Sequence, residues 1–359
     1  MKAILMLEDG KSFNGEAFGN GGESCGELIL NTAVVGYQEM LTDPANAGKI
    51  LLLTYPLIGN YGCAPKFNES KAVWPAALLI KEKTRLTSNW QAKMSFDEFI
   101  QAHKLLTMFK VDTRTLTVHL RQKGAQLGII STDCFGPKEL LKKISSFRQQ
   151  KKPSVLPRVS VSRVSALGKA KKGAKKVAIL DLGITNSIIR QLELLGLALT
   201  LLPYDTAAGE VLRLKPDGLI VSGGPEEDPG LEAVKENLKG LFGKLPILGI
   251  STGMQVIAAA LGAKLQKLKL GHRGVNYPIT QAQSYKGEIT VQNHGWAVDS
   301  DTLGKIKNLR ITGYNLNDRS VEEFASKKLK ILAMQYLPVS PGFDEVNPAL
   351  KKFLKMLTK

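Results

Sequence analysis

A chain of 359 residues is long enough for about two domains of ~150 residues, each with a core of its own. Its composition, 43% hydrophobic and 23% charged, is that of a globular protein; no apolar run approaches the ~20 residues a membrane span needs, and the opening MKAILMLEDGKSF reaches Glu8 and Asp9 too early for a signal peptide, so a cytoplasmic protein with no membrane partner is expected. The formal charge is +17, yet the cations lie in small clusters such as Lys264 to Lys269 and Lys351 to Lys359, with 6% aromatics and no nucleic-acid motif, which favours a solvated basic surface over nucleic acid and leaves an acidic protein partner open.

In chain order, Ala3 to Leu7, Ser12 to Phe18 and Glu27 to Thr32 read as short strands separated by turns at Asp9-Gly10 and Gly19 to Gly22. Ile50 to Tyr55 and Ala76 to Ile80 read as buried strands. Helical spacing covers Ser95 to His103, Asp112 to Lys123 and Pro137 to Arg148, with Asp112 and Thr113 offering N-cap oxygens to the second. Residues 1–148 therefore predict a β-rich α+β domain finished by helices, without a phosphate loop or a metal-ligand cluster. His103 and His119 read as ordinary surface or core histidines. Cys25, Cys63 and Cys134 are far apart and odd in number, which predicts reduced thiols and no zinc site.

Residues 149–175, rich in Lys, Ser, Pro and Gly, read as a basic linker, with an edge strand suggested by the alternation from Val159 to Val164. From 176 to 359 the pattern is α/β. Strands are predicted at Val177 to Gly183, Ala198 to Pro203, Gly218 to Val221 and Pro246 to Ile250, with helices at Asn186 to Leu195, Ala207 to Leu214 and Leu231 to Phe242. Further strands are read at Lys286 to Gln292 and Ile331 to Gln335, and a terminal helix at Asn347 to Leu357. Such alternation predicts a doubly wound parallel sheet with ligands at the carboxyl ends of its strands. Two turns converge there, Ser222 to Pro229 and the Gly-x-Ser-x-Gly elbow of Gly249, Ser251 and Gly253, which makes Ser251 the candidate nucleophile.

The runs NTAVVGYQEMLTDPANAG (Asn31 to Gly48), TYPLIGNYG (Thr54 to Gly62) and VDTRTLTVHLRQKGA (Val111 to Ala125) resemble the N-terminal domain of the small subunit of carbamoyl-phosphate synthetase. PDGLIVSGGP, PILGISTGMQ, LGHRGVNYPI and QNHGWAVD resemble its class I glutamine amidotransferase domain, of flavodoxin-like fold. The resemblance spans almost the full chain. It implies a subunit that hydrolyses glutamine with a Cys-His-Glu triad and passes ammonia to a large ATP-using subunit, for arginine and pyrimidine synthesis. It implies no cofactor in this subunit, with ATP and Mg on the large one.

The resemblance also places the chemistry, and there the chain departs from it. Ser251 stands at the nucleophilic cysteine position, Leu337 at the histidine position and Val339 at the glutamate position. Ala45 replaces a serine that helps hold the substrate, and Glu226 enters the oxyanion loop where a glycine is expected. Gly224, Gln255, Asn293, Gly295 and Trp296 remain of a vestigial glutamine-binding set, with Thr252 beside the nucleophile. A serine hydroxyl needs a general base, whereas a thiol is partly ionised near pH 7. The favoured reading is a small subunit unable to hydrolyse glutamine, acting as a structural or regulatory partner of an ammonia-using large subunit in a heterodimer. Alternatives are a rewired Ser251 glutaminase, a serine hydrolase with His294 as base and Asp299 as acid, and a stand-alone binding module. Glutamine or a related amide is kept as a candidate ligand of the pocket.

Overall fold

The computed structural model describes residues 1–151, 153–168, 172–281, 287–342 and 345–357. Its contacts divide the chain into two units, Met1–Lys152 and Pro153–Lys359. Among the described residues no helix is long and apolar enough to cross a membrane.

The first unit contains β1 (Lys2–Leu7), β2 (Ser12–Phe18), β3 (Glu23–Asn31), β4 (Ile50–Leu53), β5 (Leu57–Ile58), β6 (Ala77–Leu79), β7 (Glu82–Lys83), β8 (Thr107–Phe109) and β9 (Gln126–Ser131). Seven of these close a barrel in the order β1-β2-β8-β6-β4-β3-β9, while β5 and β7 form a separate two-stranded ladder. β8 and β9 are absent from the sequence reading, because their pairing is set by distant partners: β9 runs antiparallel to both β1 and β3. The helices have sequence-encoded starts. Ser95 and Glu98 make a capping box for Phe96–Ala102, and the Asp112 carboxylate accepts from Thr115 N–H to cap Thr113–Lys123. Tyr37, Leu51, Leu53, Leu78, Phe96 and Phe99 share one buried cluster between barrel and helices.

The second unit contains β10 (Ser165–Leu167), β11 (Lys176–Asp181), β12 (Ala198–Pro203), β13 (Gly218–Val221), β14 (Ile247–Ile250), β15 (Leu265–Gln281), β16 (Gly287–Val298), β17 (Arg310–Asn315), β18 (Val321–Ser326) and β19 (Ile331–Met334). They form a ten-stranded sheet ordered β10-β12-β11-β13-β14-β19-β18-β17-β15-β16. Its middle, β12-β11-β13-β14-β19, is parallel throughout, the doubly wound flavodoxin-like order. β11, β13 and β14 are buried along almost their whole length, as strands covered on both faces must be. The helix Pro348–Leu357 packs Leu350 and Phe353 into the same core as Ile179, Ile220 and Leu248.

Two expectations are corrected. The Val159 to Val164 alternation is not a strand: Leu156–Val159 is a short helix, with proline in its first turn, and the edge strand is β10, antiparallel to β12. Residues 153–168 of the predicted linker thus carry elements of the second unit, while residues 152 and 169–171 lie outside the described residues. The strand read from Lys286 to Gln292 is the start of the longer β16, Lys286 itself lying outside the described residues. Its partner β15 was missed because register shifts between Lys267 and His272 and between Gly274 and Tyr277 interrupt the alternation.

Candidate functional site

The carboxyl ends of β11, β13, β14 and β19 meet at one place. Ser222 Oγ accepts from Leu182 N–H at 2.9 Å, and Ser251 N–H donates to Met334 O at 2.8 Å. At the end of β14 the chain turns through Ser251, whose φ of 52° and ψ of −115° put a non-glycine residue in a strained conformation directly before the helix Thr252–Ala260. A Cβ on Gly253 would lie 2.1 Å from Val221 O, so only glycine lets the first helical turn settle against the end of β13. The nucleophile elbow is therefore built as the motif implies. Its tip is buried, with Ser251 at 3% exposure.

At the two positions where the resemblance expects a histidine and a glutamate, the side chains are apolar. Among the described residues none is hydrogen bonded to Ser251 Oγ. Leu337 follows β19 and is half-buried, and its N–H donates to Val291 O at 2.9 Å. Its side chain is a hydrocarbon without a proton acceptor. Val339, at the expected acid position, is 41% exposed. Ala45 lies in the first unit, in the turn Pro44–Asn46, where its N–H donates to the Asp43 carboxylate and its methyl offers no hydroxyl.

The oxyanion-loop turn is tied down at both ends. A Cβ on Gly224 would stand 1.9 Å from Leu182 O, and Thr252 Oγ1 donates to Gly224 O at 2.7 Å. That hydroxyl gives Thr252 a loop-holding role which sequence reasoning had not assigned. Asp228 accepts from Ser154 Oγ at 2.5 Å, Val155 N–H at 2.6 Å and Gly230 N–H at 2.8 Å. Between these anchors Glu226 turns inward. Its Oε2 accepts from Gly295 N–H at 2.7 Å, and its Oε1 accepts from Gln255 Nε2 at 2.8 Å and Trp296 N–H at 3.2 Å. Arg273, 3% exposed in its side chain, has Nη2 3.9 Å from Glu226 Oε2. Arg273 was visible in the GHRG run, but nothing in the spacing pointed to a carboxylate partner.

Gly295 and Trp296 belong to β16, whose pairing with β15 sets His272 opposite His294 and Arg273 opposite Asn293. The proposed Ser-His-Asp relay is corrected here. His294 is fully buried, with Nδ1 2.8 Å from Trp296 O. Asp299 caps the helix Ser300–Gly304 by accepting from Thr302 N–H at 2.8 Å, so it does not orient that imidazole. Burial, then the neighbouring His272, hold the His294 imidazole down at about 3. Glu322 is buried nearby, accepting from Asn315 Nδ2 and Gln292 Nε2, both at 2.9 Å, and burial pushes its carboxyl up to about 6. Beside the site, Gln255 and Trp296 share with Asp228, Leu231 and Val256 the lining of a cavity of about 310 Å³.

Comparison with known proteins agrees with this architecture. Residues 5–130 match the family described as carbamoyl-phosphate synthase small chain, CPSase domain, and residues 178–354 match glutamine amidotransferase class-I. The carbamoyl phosphate synthase small chain of Syntrophotalea carbinolica is 37% identical over 377 residues, covering 100% of this chain and 98% of its own. That of Listeria monocytogenes is 38% identical over 359 residues, covering 99% and 97%. The carbamoyl phosphate synthase pyrimidine-specific small chain of Bacillus subtilis is 37% identical over 360 residues, covering 99% and 96%. With both domains matched in order and relatives aligned along the whole chain, this protein belongs to the carbamoyl-phosphate synthase small-chain family.

Proposed function

We propose that this chain is a small subunit that does not hydrolyse glutamine, and that it serves as the structural or regulatory partner of an ATP-using large subunit fed by free ammonia in the cytoplasm. ATP and Mg²⁺ act on the large subunit in this reading, and the small subunit brings no cofactor. The observation that carries it is the elbow without a base: Ser251 holds the nucleophile position while Leu337 and Val339 follow β19. An alcohol far from its ionisation range attacks an amide only when a positioned base takes its proton, and members of a triad act as a unit.

The test is the nitrogen donor of the reconstituted complex. Co-elution with the large subunit, carbamoyl phosphate formed with ammonium, and none above background with glutamine are the expected results. Glutamine-driven synthesis at a rate comparable to ammonium overturns the proposal. The strained Ser251 backbone is the one observation favouring a rewired glutaminase, in which case Ser251→Ala abolishes glutamine-dependent synthesis.

A further inference from the structure

Glu226 stands out because its carboxylate, 5% exposed, is buried among converging hydrogen-bond donors. Two consecutive backbone N–H groups, of Gly295 and Trp296, and the Gln255 amide converge on its two oxygens, with the buried Arg273 guanidinium behind them. This is how proteins bind a carboxylate ligand: fixed dipoles and a cation aimed at two acceptor oxygens, shielded from water. The site is also built. Gln255 and Arg273 are each 3% exposed, and the loop that delivers Glu226 is clamped by Thr252 on Gly224 on one side and by Asp228 on the other. Glu227, next in the chain, takes a φ of 57°, a conformation that costs a non-glycine residue energy and that the clamps maintain.

We propose that Glu226 is an internal ligand: its carboxylate fills a carboxylate-binding subsite formed by Gln255, Gly295, Trp296 and Arg273, and thereby closes the site to free amino acids. The proposal deepens the reading above, because these donors lie where the resemblance puts glutamine binding. It concerns occupancy and not turnover. A free α-amino acid must displace a carboxylate that is covalently tethered and already oriented, so it competes against a ligand that has lost little freedom on binding. A neighbouring cavity of about 310 Å³ shares Gln255 and Trp296 with this subsite.

The test is calorimetric titration of the full chain with L-glutamine, L-glutamate and acetate, for the wild type and for Glu226→Ala, Glu226→Gln and Glu226→Asp. No saturable binding is expected for the wild type. Glu226→Ala gains saturable binding of acetate and of at least one amino acid, at least tenfold tighter than the weakest binding the titration of the wild type would detect. Its thermal midpoint rises with acetate but not with the neutral isostere acetamide, because only a carboxylate replaces what was removed. Should Glu226→Ala fail to fold, Glu226→Asp keeps the charge while drawing the carboxylate back from the N–H pair, and shows the same gain to a smaller degree. Saturable glutamine binding by the wild type overturns the proposal, as does binding no tighter in the folded variants. Neither result depends on whether the assembled complex turns glutamine over.

Discussion

At the level of single residues, the proposed inability to hydrolyse glutamine rests on the elbow's backbone and on the side chains at the positions expected to serve it. Ser251 keeps the strained backbone of a nucleophile elbow, yet no described residue is hydrogen bonded to its hydroxyl oxygen. Under the proposed function, Ser251→Cys should leave glutamate release from glutamine ~10³-fold or more below that of an intact triad, because a thiol alone does not replace the histidine whose expected position holds Leu337; an assay of glutamate release checks this. His294 gives a pH prediction. Its pKa is depressed in the folded chain to about 3, so the unfolded chain takes up the proton first as pH falls. The stability associated with a neutral His294 is present above the ordinary histidine pKa of ~6.5 and is lost progressively as pH falls below it. Glu322, raised to about 6, works in the opposite sense: its contribution is present below the ordinary glutamate range and is lost as pH rises through 6. Urea midpoints recorded between neutrality and pH 4 should fall less steeply for His294→Gln than for the wild type. That Ser251, Leu337 and Val339 stand at the triad positions was an expectation legible in the sequence through the family resemblance. The turn of Glu226 onto Gln255 and Trp296 was not, because its partners arrive from 29 and 70 residues away.

Among the elements, local rules located most of the second unit. Buried apolar runs became β11, β13, β14 and β19, and helix starts fell at Asn186, Leu231 and Thr252. What local rules missed was antiparallel and bulged: β15, β17 and β18 alternate too irregularly to be read before their partners are known. Glycines show the same division. Gly253 sits where a methyl would overlap Val221 O at 2.1 Å, whereas Gly209, inside the helix Ala208–Arg213, has nothing within 4 Å. Gly253→Ala should destabilise the chain by about 1–3 kcal/mol or more. Gly209→Ala should stabilise it by about 0.5–1 kcal/mol. Urea denaturation of the two variants must give shifts of opposite sign.

On the scale of the whole molecule, the start of the second unit is decided by contacts that composition conceals. The segment from Pro153 reads as linker because it is polar and cationic, yet Ser154 and Val155 bond to Asp228 and β10 pairs with β12. A fragment of residues 176–359 loses all of these and leaves the buried Asp228 carboxylate with fewer donors, at about 1–3 kcal/mol for the carboxylate alone. Its thermal midpoint should lie about 5–10 °C below that of residues 153–359, and scanning calorimetry of the two decides the point. By itself the sequence determined the two-part organisation and the parallel α/β core, because these follow from composition and short-range periodicity, and it pointed to the family through the resemblance of its motif runs. Only the tertiary structure decided the closure of the barrel, the bulged antiparallel extension of the sheet and the burial of Glu226's carboxylate among its donors. Each depends on groups far apart in the chain, whose hydrogen bonds form only once the fold has brought them together and removed the water that would otherwise satisfy them.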